Sequence, residues 1–292
     1  MSNAYGPARV TLGSTDLRTT DQVAFRTNQQ RYRRHGGGSL HAGFDGVLRQ
    51  PAVFEYQTTD LRRILAVCDG VEVPEGRAAM TATWATNAVD SVAYASAISR
   101  AATTCHHFIT TLSFQRGEPA MARVNGFPLS SDGDTNPVTN GTPAVPAQIT
   151  DAEEWVVKTV TLNAVEIQRW QSIDIEIDAK ATVDADQCYR SQRPFPVFVA
   201  SGGIMGGVDI SVTIQAMDLA QALAANTAVP LVIVLGNKLR GSPLFGADEI
   251  TITGIPGMVD FDLIDGSPSS RPTTIPLIHD GTSRPLTIAG PA

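Results

Sequence analysis

The residues best equipped for chemistry fall into four short groups: Cys105-His106-His107, Asp132-Gly133-Asp134-Thr135-Asn136, Asp184-Ala185-Asp186 and Gly202-Gly203-Ile204-Met205-Gly206-Gly207. Thiolate and imidazole suit zinc, yet neighbours along a strand point to opposite faces, so only Cys105 and His107 could share an ion. The remaining ligands would have to come from elsewhere in the fold, and the expectation is one histidine packed and one solvated. Asp132, Asp134 and Asn136 place oxygens at alternate positions, as a calcium loop does. The pattern fails where it discriminates, because the sixth position is Pro137 instead of glycine and the twelfth is Pro143 instead of a bidentate glutamate. Asp184 and Asp186 form an acidic turn of a kind common without metal. The glycine run lacks the lysine and hydroxyl of a phosphate loop, and a strand pattern follows it where phosphate binding uses a helix N-terminus, so it reads as a flexible turn.

Neither Gly-x-Ser-x-Gly nor His-Glu-x-x-His occurs. Glycosidase carboxylates come from separate strands and leave no local signature, so a β-fold hydrolase stays open as an alternative. Trp84, Trp155 and Trp170 are scattered and aromatic residues are 6% of the chain, which offers little platform for a carbohydrate-binding module. Each tryptophan is expected in a core or an interface. Cys68, Cys105 and Cys188 are too far apart for a disulfide framework or a zinc spacing and are expected as buried free thiols. The expectation is a protein without cofactor or bound metal.

The elements that would position any site are strands. In Ile173-Asp174-Ile175-Glu176-Ile177-Asp178 every odd position is apolar and every even one acidic, and Val208-Asp209-Ile210-Ser211-Val212-Thr213-Ile214-Gln215 keeps the same rule. A period of two buries one face and leaves the other to water or a partner, and a one-residue slip would bury the polar row. Asp174, Glu176 and Asp178 are therefore the candidate functional face. Further strand patterns fall at 105–115, 156–167, 195–200, 230–235, 248–254, 258–264, 272–279 and 284–289. Asp280-Gly281 predicts a hairpin between the last two, and Pro276 and Pro285 mark that hairpin as an edge. Residues 78–84 and 92–100 mix small and β-branched side chains without a clean period. One helix is clear: Leu61, Ile64, Leu65 and Cys68 make an i, i+3, i+4, i+7 stripe, with Thr58 or Thr59 to cap it, Asp60 for its first turn and Gly70 as a left-handed stop. A shorter helix is expected over 218–225, with Leu219 and Leu223 inward and Asn226 at its end.

The length of 292 residues and 42% hydrophobic content allow one large β domain. Residues 1–40 read as an extended N-terminal arm or loop, with short strands at 8–12 and 23–26 and a basic stretch, Arg31-Tyr32-Arg33-Arg34-His35, running into Gly36-Gly37-Gly38. Residues 41–292 then form a single β-rich domain with an insertion or long loop within 71–150. The segment 128–146, rich in Ser, Asp, Asn, Gly and Pro, reads as an exposed loop, and both it and 1–40 are expected to order on contact with other copies. The net charge of -7 and a pI near 5.2 argue against general affinity for nucleic acid. No apolar run reaches the length of a membrane span, and residues 1–7 lack the basic start of a signal peptide, so synthesis in the cytoplasm is expected.

The order of elements over 155–289 resembles the tail tube proteins of long-tailed bacteriophages and related tube-forming injection systems. The resemblance rests on Ser172-Ile173-Asp174-Ile175-Glu176-Ile177, the aromatic-proline strand Pro194-Phe195-Pro196-Val197-Phe198-Val199, the glycine turn, Gly207-Val208-Asp209-Ile210-Ser211-Val212 and a short helix. Glu249-Ile250-Thr251-Ile252, Val259-Asp260-Phe261-Asp262-Leu263 and Pro285-Leu286-Thr287-Ile288 complete it. Residues 47–70 add a strand, Thr58-Thr59-Asp60 and a helix. It implies a β-sandwich or barrel of the tail-tube type with one or two short flanking helices and long loops. It also implies a virion structural protein of the tail, made in the host cytoplasm and not an enzyme. Its copies would assemble into stacked rings, usually hexameric, with the tape measure and tail terminator as partners and DNA passing without sequence-specific binding. Asp174, Glu176 and Asp178 would then face the lumen or an interface. Another virion part, such as a tail tip, adaptor or capsid decoration, is the alternative within the same class.

Overall fold

The computed structural model of the protein describes residues 4–17, 21–27, 30–35, 42–49, 51–70, 72–87, 96–147, 153–184, 195–202, 207–217, 219, 230–239, 244–257, 272–279 and 284–290. From the N-terminus come β1 (Ala4–Leu12), β2 (Thr15–Asp16), β3 (Asp21–Thr27), β4 (Gln30–His35), β5 (Ala42–Arg49), β6 (Ala52–Thr58) and the helix α1 (Leu61–Val67). Next are β7 (Glu75–Asn87), β8 (Ser96–Gln115), β9 (Met121–Pro128), β10 (Val138–Gly141), β11 (Glu153–Leu162) and β12 (Val165–Glu166). The last third holds β13 (Trp170–Asp178), β14 (Thr182–Asp184), β15 (Phe198–Ala200), β16 (Asp209–Ala216), β17 (Leu231–Leu239), β18 (Glu249–Gly254), β19 (Thr273–Leu277) and β20 (Leu286–Ala289).

Alternation does what it predicts in β13 and β16. Ile173, Ile175, Ile177, Ile210, Val212 and Ile214 are buried, while Glu176, Asp178 and Asp209 are exposed. These strands belong to an 11-stranded antiparallel sheet that branches at the 20-residue β8. Along one side of β8 runs β7, beside 96–108, and then β13, beside 111–115. Along the other side lie β10, at 99–102, and β9, at 105–113. A five-stranded sheet in the order β12-β11-β17-β18-β20 packs its apolar side chains, Trp155, Ile233 and Ile252 among them, into one core with Phe114, Ile175 and Val212 of the larger sheet. The fold is mainly β and sandwich-like, with no closed barrel among the described strands.

Helix α1 buries Leu61 and Ile64, with Cys68 just beyond its end also buried, as the stripe predicts. The Thr58 hydroxyl accepts the Asp60 amide at 3.1 Å, and the Cys68 amide bonds back to the Ile64 carbonyl at 2.8 Å. Gly70 is not the left-handed stop that was expected. It is glycine for lack of space, since a Cβ there would lie 2.4 Å from the Val73 carbonyl oxygen. Of the expected second helix only Leu219 is described, and it is buried. The rest of 218–225 and the strand expected at 258–264 lie outside the described residues.

Three expectations about organisation are corrected. Of the 1–40 segment expected as an arm or loop, the described residues 4–17 and 21–27 belong to the body: β1 pairs with β7, β3 pairs with β6, and Val10, Leu12 and Leu17 are buried. The apolar run in β1 is too short to outweigh the turn residues around it. Residues 71–150 are not a peripheral insertion, because they supply β7 to β10 and with β8 the strand on which the large sheet branches. Even the 128–146 segment lays β10 on β8 and buries Leu129, Ser130 and Val138. Finally, β19 and β20 do not form a hairpin. β19 pairs with β16 in the large sheet and β20 with β18 in the small one, so the chain crosses between sheets there. Each ends its sheet, and the carbonyls of Pro276 and Pro285 accept the amides of Gly257 and Ile255 at 2.7 and 3.0 Å.

Candidate functional site

Antiparallel register turns the alternating strands into a two-dimensional polar face. Ser113, Asp174, Thr213 and Thr274 line up across β8, β13, β16 and β19, and Thr111, Glu176, Ser211 and Pro276 make the next row. Gln115, Ser172 and Gln215 stand on one side of these rows, and Asp178 opposite Asp209 on the other. The Thr213 and Thr274 hydroxyls bond at 2.9 Å, and the Ser172 hydroxyl donates to the Gln215 amide oxygen at 3.4 Å. Under the face lie Leu112, Phe114, Ile175, Val212 and Ile275, each at most 1% exposed, which fixes the register and holds the polar rows outward. The rows carry hydroxyls, amides and carboxylates, with neither a basic nor an aromatic side chain at any of these positions.

The three acidic residues singled out from the sequence stand together on this face but not in equal roles. Asp174 is half-buried between Ser113 and Thr213, whereas Glu176 and Asp178 are exposed. Asp178 also accepts the Lys180 amide at 3.0 Å, where Lys180 adopts φ 44°, so it braces a left-handed turn. The Lys180 ammonium in turn reaches Asp209 at 2.6 Å. The hydroxyls around the acids, from Thr111 to Thr274, were not singled out beforehand. Only strand order brings them alongside, although the period-two signal in 208–215 already carried two of them, Ser211 and Thr213.

The other candidate groups do structural work. His106 and His107 are both buried, contrary to the expectation of one solvated ring, because β8 is covered on both faces there. The His106 ring stacks on Phe108 with centroids 4.6 Å apart, and its Nε2 lies 3.4 Å from the Glu75 carboxylate, which also accepts the Ser201 hydroxyl at 3.1 Å. His107 Nε2 lies 3.4 Å from the Ala78 carbonyl and Nδ1 lies 3.4 Å from the Tyr56 hydroxyl. That geometry fits a neutral ring, donating through Nε2 and accepting at Nδ1. Burial lowers the His107 pKa to about 4 and also lowers that of His106, against the pull of Glu75. Burial raises the thiols of Cys68 and Cys105, both free, far from nucleophilic range; Cys188 lies outside the described residues.

Asp132 spends its carboxylate on its own turn, accepting the Asp134 and Thr135 amides at 2.9 and 2.8 Å and the hydroxyls of Thr135 and Ser130 at 2.8 and 2.9 Å. Those bonds, the Thr135 amide first, hold its pKa well below the carboxylate range. Among the described residues no three His, Cys, Asp or Glu side chains gather to hold a metal ion. Asp184 ends β14, and Asp186 lies outside the described residues. Gly202 and Gly207 have φ of 81° and 63°, the turn conformation expected at the two ends of the glycine run. Trp155 and Trp170 are buried, and Trp84 packs partly buried against the core. No helix of the described residues is long and apolar enough to cross a membrane. No protein-family model matches this chain, and a comparison with curated proteins finds no sequence match.

Proposed function

We propose that this chain is a virion structural protein whose copies join into stacked rings, forming the hollow tail tube of a long-tailed bacteriophage through which DNA passes. The observation that carries the reading is the polar face of β8, β13, β16 and β19. A duplex held by protein is held by Lys and Arg that displace its counterions. The rows of hydroxyls with Asp174, Glu176 and Asp178 carry no such group; at their borders the Lys180 ammonium is paired with Asp209, and Arg123 of β9 stands opposite Thr111. The carboxylates on the rows repel phosphate, which suits a channel wall past which DNA must slide. Among the described strands β2, β12 and β20 end their sheets, and their outer edges offer backbone groups through which copies can extend one another's sheets. Of the segments that carry the resemblance, 172–177, 209–212, 249–252 and 286–288 lie in β13, β16, β18 and β20 and only 198–199 of the aromatic-proline segment in β15, β20 is not half of a terminal hairpin, and 259–263 lie outside the described residues. Six copies per ring, with the tape measure and tail terminator as partners, follow from the same reading.

Negative-stain electron microscopy of the purified protein at rising concentration tests it directly. Rings or tubes with a central channel are the expected result. Compact monomers at every concentration, with or without tail-assembly partners, would overturn the reading, and hydrolysis of a polysaccharide by those monomers would replace it with the β-fold hydrolase.

A further inference from the structure

Just before β18 the chain carries an apolar knob. Leu244 is 75% exposed and Phe245 39%, and among the described residues they are the only exposed large apolar side chains that adjoin in sequence. The knob is built, not loose. The Phe245 ring lies over Gly236, where a Cβ would stand 2.5 Å from the ring, and the Lys238 ammonium sits 4.6 Å from the ring centroid. The Gly246 amide donates to the Asn237 carbonyl at 2.7 Å, the Asn237 amide donates to the Asp248 carbonyl at 3.2 Å, and a Cβ on Gly246 would collide with the Asn237 side-chain oxygen. Two glycines, two backbone bonds and a cation over a ring therefore hold apolar surface in water. A group fixed in this way loses little freedom when a partner covers it.

Beside the knob lies a recess of matching chemistry. Helix α1, the turn after it and β20 enclose a groove of about 330 Å³, with Leu65, Ala66, Val73, Ile250, Leu286 and Ile288 among its walls. Asp69 and Glu72 on its rim are exposed. The two arginines of the rim are already engaged, Arg62 with Glu153 and Asp248 at 3.7 and 3.2 Å and Arg284 with Glu72 at 3.8 Å. The four carboxylates Asp69, Glu72, Glu153 and Asp248 outnumber these two guanidiniums, so the mouth of the groove is acidic. The Lys238 that rides on Phe245 has the opposite sign.

We propose that the Leu244–Phe245 knob of one copy seats in the groove between α1 and β20 of a second copy, with Lys238 brought to Asp69. Knob and groove are different surfaces, so the contact is heterologous, and its repetition closes a ring or propagates an open stack. A few anchors seated in pockets carry most of the energy of an interface, and a charge pair at the edge fixes their orientation. The contact goes beyond the tube reading in naming the joining residues, and it serves any head-to-tail assembly of this chain.

The test is sedimentation velocity over a concentration series of the full chain, of Leu244→Asp on the knob, of Ala66→Trp in the groove, and of the two variants mixed. Ala66 is exposed on α1, so a tryptophan there fills the groove without entering the core. The wild type should assemble, and each variant alone should need at least tenfold more protein to do so, with an unchanged melting transition. In the mixture the intact knob of Ala66→Trp meets the intact groove of Leu244→Asp, and the pair should sediment as discrete dimers. If a variant's melting transition drops, Leu244→Ser and Thr287→Trp carry the test at the same two places. Assembly of both variants equal to that of the wild type, or a mixture that gives no dimers, would overturn the knob contact and leave the tube reading standing. Wild-type monomers at every concentration would overturn both. A tail-assembly partner that the wild type binds and Ala66→Trp loses, with self-assembly intact, would replace the second copy as the occupant of the groove.

Discussion

The middle of β8, residues 105–109, and the pair β13–β16 belong to one sheet, yet they treat their polar side chains in opposite ways. Around residues 105–109 both faces of β8 are covered: Cys105, His107 and Ile109 are 0% exposed, and Phe108 on the alternate side is 1% exposed. Polar groups caught there must find partners inside the protein or lose their charge, and His107 does both. On β13 and β16 one face is as dry, but the other leaves carboxylates half-buried or open to solvent, where they keep their charge at little cost. Enclosure on one face lets a strand carry a functional surface, whereas enclosure on two makes it a structural member. Sequence changes should therefore cost most on β8 and least on the outer rows of β13, with titration separating the two.

The largest effect is expected from Phe108→Ala. This ring is 1% exposed, stacked against His106 and edge-on to Phe127 with centroids 5.9 Å apart. Removing it leaves a cavity at the branch of the sheet, with an expected loss of about 3–5 kcal/mol in urea unfolding. Glu176→Ala on the outer row should change stability by less than about 0.5 kcal/mol. Similar losses at the two positions would end the distinction between enclosed and open faces.

Titration sharpens the same contrast. The folded His107 pKa of about 4 lies below the ordinary value of 6.5 because burial disfavours the imidazolium. The unfolded chain therefore binds the proton more readily. The stability this neutral ring contributes is complete above pH 6.5 and lost progressively as pH falls towards 4, an integrated loss of about 3 kcal/mol. His106, its pKa lowered by the same cause, adds to that slope. Melting curves between pH 7.5 and 4 should fall steeply for the wild type and less steeply for His107→Gln, whose side chain has no proton to gain. Parallel curves would mean that His107 is not the group responsible.

What could be read from the chain follows the same division. Ile173, Ile175 and Ile177 announced both strand and register because charged residues separate them, as did Val212 and Ile214 with their hydroxyl neighbours. The 96–100 part of the 92–100 stretch gave no period because its faces are neither cleanly wet nor dry: Ser96 is exposed, Ala97 buried and 98–100 half-buried. The solvated histidine expected in Cys105-His106-His107 failed because 105–109 is covered on both faces. The Asp280-Gly281 signal describes a local turn, but pairing is decided by which sheet edge is open, and β19 and β20 found different ones. Strand order likewise lies beyond local pattern, so the row from Ser113 to Thr274 could not be assembled from the sequence, although its acidic member Asp174 could be named.

The smallest effects on folding, and the sharpest test of the polar face, come from charge reversal along β13. Asp174→Lys with Glu176→Lys replaces two side chains whose cross-strand neighbours are Ser113, Thr213, Thr111 and Ser211, none of them charged. The fold should tolerate the pair within about 0.5 kcal/mol per site, as surface substitutions usually are. Adding Asp178→Lys should cost about 1 kcal/mol more, because the Lys180 amide loses the carboxylate that braces its φ of 44°. These changes cannot act on assembly through the core, so tubes should still form, and with the wall made basic the particles should release DNA poorly. Melting curves, electron microscopy and an ejection assay on the double variant separate the three quantities. Normal ejection from well-formed tubes would remove the face from the channel wall, and failure to form tubes with an intact melting transition would make it a contact between copies instead.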